Sequence, residues 1–309
     1  MLVGYKQSYR SLIPQMPGHS MSSARVRYLL FDAESIADGK LLQKIIYPED
    51  DLTPVEAVER CRREQMEKTG KEFIPYTFHV PVSIAIAKIA DDFSLIDLVT
   101  LDPGQYRPPI IARDFWEGWR QYKRKNTRKD GRFELSLVSF NGRTFDIPML
   151  ELAAFRYGIG IGEWMYNKGP SYEHPRNRYN SAVHIDLQEV MTNFGATRFT
   201  GGLNLLANLL SKPGKMGIAG HMVQDLYEAG EVEQINDYCR CDVLDTYFVF
   251  LRSRVLYGDL PLEREVELVE QAYSWLEEQG DEHPIYREYL DNCEEWENPW
   301  AELLELKND

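Results

Sequence analysis

Paired cysteines, long apolar runs and an excess of basic charge are all missing from this chain of 309 residues. Its four cysteines, Cys61, Cys239, Cys241 and Cys293, include no C-x-x-C pair. Neither a disulfide framework nor a zinc knuckle is expected, and a reducing, cytoplasmic setting is the default reading. Nowhere do the roughly 18 consecutive apolar residues of a membrane span run together. Residues 1–24 contain Ser, Pro and Gly but no apolar core of the kind a signal peptide needs. The protein is read as soluble, not secreted and without a membrane partner, its first 24 residues as a disordered extension, and Met21 as an alternative start.

Basic charge is in deficit, with 35 Lys and Arg against 49 Asp and Glu and a formal net charge of −14. At face value this argues against a nucleic-acid partner, which draws on basic surface. The distribution removes the objection: residues 263–309 hold 16 acidic and 3 basic residues, leaving 33 acidic and 32 basic in the first 262. The acidity belongs to the C-terminal segment, and the body is nearly neutral.

The body reads as alternating elements. Residues 25–32 (RVRYLLFD) form a short apolar run ending in acid, expected to be a buried central strand. A charge-rich surface helix follows from Pro54 to Lys71 with Thr53 as its N-cap, an insertion beside the core. Residues 80–90 and the run FSLIDLVTL at 93–101 read as a hairpin. Phe115, Trp116, Trp119 and Tyr122 fall at helical spacing within 113–126, and ELSLVSF at 134–140 reads as a strand. Helix 145–157, a polar loop from about 163 to 182, strand 183–186 and a long helix from about 231 to 257 complete the order. A strand meander followed by alternating helices and strands describes an α/β fold, a mixed sheet with helices on both faces.

Three acidic motifs stand out. Asp32 and Glu34 lie two apart at the first strand's end, so both carboxylates share one face while Ala33 turns away. Chance alone gives about eight acid-x-acid pairs in a chain of this composition, so the pair gains weight only from its place. Charge directly after the most apolar strand costs desolvation unless something, such as a divalent cation, compensates it. Asp146 falls in the first turn of helix 145–157, after an Asn-Gly turn, where the helix dipole alone would favour an acid. Tyr238 and Asp242, four apart, share one face of the long helix, where the plain alternative is a core-edge tyrosine beside an exposed acid. The two cysteines between them point about 200° apart and do not form a metal pair.

Together these residues suit phosphodiester hydrolysis. Two hard cations about 3.5 to 4 Å apart need several carboxylate oxygens, and Asp32, Glu34, Asp146 and Asp242 supply four side chains. An oxygen-only set favours magnesium or manganese over zinc. A tyrosine hydroxyl one turn from Asp242 can orient the attacking water.

The motifs PheAspAlaGlu (31–34), AsnGlyArgThrPheAspIlePro (141–148) and TyrCysArgCysAsp (238–242) resemble the three exonuclease motifs of DEDD-type 3′-to-5′ exonucleases of the tyrosine subclass. The chain resembles stand-alone bacterial proteins that are similar to the proofreading exonuclease domain of family B DNA polymerases, and HisIleAspLeu (184–187) and residues 212–220 share that look. The resemblance, over roughly residues 25–257, implies a ribonuclease H-like fold and sets an exonuclease domain over 25–260, while composition marks 261–309 as an acidic helical extension. It implies two divalent cations, Mg2+ or Mn2+, with Asp32 bridging both, Glu34 and Asp242 completing the first site and Asp146 serving the second. Tyr238 would position the nucleophile. The histidine subclass has His five residues before the last Asp, where Asp237 stands here.

The expected partner is a single-stranded nucleic acid, DNA with RNA as the alternative substrate; a non-catalytic nucleic-acid-binding protein on the same fold is the contrasting class. Phe140, Asn141 and Lys215 are candidate substrate contacts, although Phe140 equally suits the core and Lys215, like Arg198, a solvated loop. Residues 119–132 carry seven basic residues against one acidic, either a solvated helix end or a phosphate-tracking stripe. For the acidic segment, a helix over 263–279 packing Val266, Val269, Ala272, Tyr273 and Leu276 is set against a competitor for the basic stripe or a contact for a protein partner.

Overall fold

Alternation from Val26 onward builds strand β1 (Val26–Ala37), whose residues face two cores in turn. Leu29, Phe31 and Ala33 point to one side of the sheet and Leu30 to the other, as the period of two dictates. The computed structural model describes residues 25–166, 169–217 and 220–300. The extension expected over 1–24 and the alternative start Met21 lie outside the described residues, as does the end of the acidic segment.

After β1 the chain forms α1 (Gly39–Ile45) and α2 (Pro54–Thr69). Thr53 and Glu56 make a reciprocal capping box at the start of α2, with Pro54 in the first turn, as the sequence signature anticipates. Strand β2 (His79–Ala90) pairs antiparallel with β1, and β3 (Leu95–Thr100) antiparallel with β2. Helix α3 (Pro108–Lys125) leads to β4 (Ser136–Ser139), parallel to β1. Then come α4 (Asp146–Tyr157), α5 (Gly162–Met165) and β5 (His184–Asp186), parallel to β4. Helices α6 (Leu187–Thr192), α7 (Gly202–Leu209), α8 (Val223–Ala229), α9 (Val232–Tyr257), α10 (Leu262–Gln279) and α11 (Ile285–Asp291) finish the described chain. The described residues thus form a mixed five-stranded sheet of order β3-β2-β1-β4-β5 flanked by helices, the α/β architecture the sequence implied.

Trp116 and Phe115 of α3, Leu150 of α4 and Trp164 of α5 cover one face over Phe31 and Leu137. The other face lies under α9, where Val243, Tyr247 and Phe250 pack over Leu30, Ala87 and Val138. Both faces of the central strands are therefore dry, which explains their nearly continuous apolar runs.

Four elements differ from expectation. β1 runs past residue 32 because Ser35–Ala37 still pair with β2 beyond a register shift: Glu34 opposes Ser83, and Ser35 opposes Pro81. Proline has no N–H to give the ladder, so an irregularity there is the normal accommodation. α3 begins at Pro108 rather than Arg113, since the Pro-Pro start fits a first turn. α10 turns Leu268, Ala272 and Leu276 inward and keeps Val269 and Tyr273 at its edge, but Val266 is 44% exposed rather than packed. Residues 285–291, beyond the helix expected over 263–279, form a further helix, α11, which seats Tyr286 and Tyr289 with no exposure at all. Tyr289 donates its hydroxyl proton to Asp245 Oδ1 on α9 at 2.7 Å.

The basic run of 119–132 is held by acids. Lys123 and Arg124 each reach Glu163 at 3.1 Å, and Arg128 pairs with Glu134. Arg25, just before β1, also binds Glu134, at 2.7 Å, so the run lies at the start of β1, about 20 Å along the strand from Asp32. A solvated helix end, with Arg120, Lys123, Arg124 and Arg128 of its seven cations paired to Glu163 or Glu134, is the reading this placement supports. Among the described residues no helix is long and apolar enough to cross a membrane.

Candidate active site

The period of two sends Asp32 and Glu34 out of β1 on the side covered by α9, while Ala33 enters the opposite core. The register shift comes directly after Glu34, so the strand is redirected just where it has placed its second carboxylate. Two contacts set α9 against the sheet. Ser83 of β2 donates to Asn236 Oδ1 at 2.5 Å, and the buried Cys239 thiol reaches the Asp32 carbonyl oxygen at 3.3 Å. With α9 fixed in rotation, Tyr238 and Asp242 face β1 from one helical stripe. One carboxylate oxygen each from Asp32, Glu34 and Asp242 lies within 4.8 Å of the others.

Asp146 stands apart from that trio but close enough for its charge to act on both Asp32 and Glu34. It is the first residue of α4, buried at a helix N-terminus. The approach to it is tight: a Cβ on Gly142 would lie 2.4 Å from Ser139 Oγ and 3.1 Å from Asp146 Oδ2, so only glycine fits. Asn141 takes φ +64°, a left-handed conformation that asparagine tolerates. Asp186, at the end of β5, holds this turn. Its carboxylate accepts from the backbone N–H groups of Asn141 and Arg143, both at 2.9 Å, and from those of Gln188 and Glu189 at the start of α6.

Burial first, and mutual repulsion second, push these acids upward. Desolvation and the Asp146 charge raise Asp32 to about 8, and desolvation with Asp32 raises Asp242 to about 8. Asp146 rises to about 7 through burial and Asp186, and Glu34 is held well above the carboxylate range by burial and Asp32. Burial and Asp242 keep the Tyr238 phenol protonated far beyond neutral pH. A cluster whose members resist ionising in each other's company suits a cation that would restore the charge.

Of the candidate substrate contacts, Lys215 is exposed and its charge favours ionised Asp242. Glu34, Lys215, Phe73, His79 and Phe145 line a cleft of about 460 Å³. Phe140 is half-buried, with its ring centroid 6.3 Å from that of Phe199. Asn141 Oδ1 accepts from Thr144 Oγ1 at 2.6 Å and from Gln188 Nε2 at 3.0 Å, so that oxygen is committed to shaping the turn. A groove of about 490 Å³ between α9, α10 and residues 290–296 holds none of the carboxylates.

Sequence reasoning missed Asp186 as the anchor of the Asn141–Asp146 turn and His79 as a wall of the cleft. An Asp directly before a helical run is a cap signal that marks Asp186. Nothing local marks His79, whose Nδ1 meets Ser35 Oγ at 2.9 Å across two strands.

A search of curated proteins finds no match for the chain. Among solved structures it is similar to the family B DNA polymerase of the hyperthermophilic archaeon Pyrobaculum calidifontis, with 15% identity and a TM-score of 0.42. That likeness covers 74% of this chain and 24% of the polymerase, so the chain spans about a quarter of the larger protein. Residues 71–293, which carry the Asp146 and Tyr238–Asp242 motifs, match the model of a family described as predicted 3′-5′ exonucleases related to the exonuclease domain of PolB, and the chain belongs to that family.

Proposed function

We propose that the protein is a metal-dependent 3′-to-5′ exonuclease that hydrolyses the last phosphodiester bond of single-stranded DNA and releases nucleoside 5′-monophosphates. The observation that carries this reading is the convergence of Asp32, Glu34 and Asp242 oxygens within 4.8 Å of one another. The donor set fits hard divalent cations: it is all oxygen, Glu34 is buried with Asp32 and Asp242 half-buried beside it, and desolvation and repulsion raise all three. Asp32, Glu34 and Asp242 would hold one Mg2+ or Mn2+ and Asp146, with Asp32, a second. When bound, two such ions neutralise the scissile phosphate, activate water and stabilise the leaving oxygen.

The chain's own groups do the rest. Tyr238, hydrogen-bonded to Asp242, presents a neutral hydroxyl that orients the attacking water rather than a phenolate that takes its proton. Lys215 meets the substrate's phosphates at the mouth of the cleft. Phe140 and Asn141 contact the terminal nucleotide. The four free cysteines suit a cytoplasmic setting.

End-labelled single strands incubated with magnesium or manganese test the proposal. Wild type should shorten them from the 3′ end only when metal is present, and Asp242→Ala should not. A labelled strand left intact by wild type in both metals contradicts it. Matched DNA and RNA oligomers assign the sugar: faster RNA cleavage replaces DNA as the substrate without changing the chemistry.

A further inference from the structure

One large apolar side chain at the cleft has no burial to explain it. Phe73, between α2 and β2, is 57% exposed, yet it lines the same cleft as Glu34 and Lys215. It belongs to an aromatic group. Its ring lies 5.8 Å from His79 at 30° and 5.6 Å from Phe145 at 55°. Phe145 in turn directly precedes Asp146, and its ring meets His79 edge-on at 5.6 Å. His79 fixes the wall from behind through Ser35 on β1, with its other ring nitrogen 3.1 Å from the Ile74 carbonyl oxygen. The wall therefore joins the insertion to β1 and α4, the elements that carry Glu34 and Asp146. Its rim bears Lys71 and Lys215 with Glu72 as the acid among them.

An open aromatic face in the cleft that Glu34 of the carboxylate trio also lines, with lysines on the rim, matches how single strands are held. Bases stack on exposed rings whatever their sequence, and cations track the backbone. Resting on the exonuclease reading, we infer that Phe73 is a substrate-binding residue that stacks an unpaired base near the 3′ end. The insertion thereby makes the cleft selective for single-stranded ends. A base in a duplex is already stacked and paired, so it cannot meet the ring without first being extruded.

A cycle between the ring and the base tests this. Asp242→Asn, which keeps the strand intact, is combined with Phe73→Ala, Phe73→Leu and Phe73→Trp. Affinity is read by fluorescence anisotropy in magnesium for a single strand and for four strands with one abasic site among the last four nucleotides. In the Phe73 background, one abasic position should weaken binding by about 5- to 100-fold, the range for losing one base–aromatic stack. Phe73→Ala should bind the intact strand that much more weakly and lose the abasic penalty, Phe73→Leu should resemble it, and Phe73→Trp should restore both. In active enzyme Phe73→Ala should raise KM with little change in kcat. Equal abasic penalties with and without the ring overturn the inference, as does unchanged affinity for the intact strand. Failure of the exonuclease reading shows separately, as an undigested strand with wild type. The exposure of Phe73 makes loss of folding a minor concern, and an unchanged melting temperature of Phe73→Ala verifies it.

Discussion

Asp242 does two things at once: it completes the carboxylate trio and it accepts from the tyrosine one turn before it. The first role has a cost that can be measured without substrate. Asp32 and Asp242 bind protons in the folded protein up to about pH 8, whereas unfolded carboxylates release theirs near pH 4. The folded state therefore holds more protons in that window, and metal-free stability falls as pH rises through it. His79, lowered to about 4 by burial, acts in the opposite sense below its ordinary value, so the comparison belongs at about pH 7 to 8. There Asp242→Asn should melt above metal-free wild type, by a margin that grows with pH. Magnesium or manganese should stabilise wild type more than the variant. A variant that melts lower at every pH would mean that Asp242 is held by partners other than cations. For the second role, Tyr238→Phe should lower kcat by about 100-fold, the lower end of the range for a positioned acid–base group, because the hydroxyl orients the water without taking its proton. Metal-induced stabilisation should persist, and its loss would make Tyr238 a structural support.

The elements decide where these side chains meet, and the turn between β4 and α4 is the most exacting. Gly142→Ala would drive a methyl group against Ser139 and Asp146. It should destabilise the protein by about 1 to 3 kcal/mol, as overpacking does, and reduce kcat by displacing Asp146. Thermal unfolding and turnover measured together check this, and an alanine variant of wild-type stability and rate would contradict it. The same turn marks how far the sequence could be read. The Asn-Gly signal, the acid in a first helical turn and the i,i+4 pair of Tyr238 and Asp242 are local patterns, legible because strand and helix periods place neighbours predictably. Asp186 acts on Asn141 and Arg143 from more than 40 residues away, and the Ser35–His79 contact spans 44. Such pairings come from the order of strands in the sheet, which no local period encodes. The insertion was legible as a capped surface helix, but its role as a wall of the cleft depends on where the sheet returns it.

Across the whole molecule, the acidity that first argued against nucleic acid is spatially sorted. α10 and α11 carry much of it on their outer faces and place Leu268, Ala272, Leu276, Tyr286 and Tyr289 in the core beneath α9. The exterior charge is the solvated side of elements that brace the helix bearing Tyr238 and Asp242. Deleting residues 281–309 should therefore unfold or strongly destabilise the protein, since losing a buried aromatic side chain alone costs about 3 to 5 kcal/mol. A truncated chain with the wild-type melting temperature would show that α11 is dispensable to the core. The basic run at the start of β1, distant from Asp32 and partly paired with Glu163 and Glu134, should contribute little to binding. Lys123→Ala should leave single-strand affinity and its salt dependence nearly unchanged, and a clear loss of salt slope would return the run to the substrate path.

The central claim is that Asp32, Glu34, Asp146 and Asp242 act together with divalent cations to cut a strand from its 3′ end. It is tested most directly by following a 5′-labelled single strand with magnesium or manganese, using wild type and Asp242→Ala side by side. The expected result is a metal-dependent ladder of stepwise shortened products with released nucleoside 5′-monophosphates for wild type, and an intact strand for the variant. Equal digestion by both proteins, or none by wild type in either metal, would contradict it.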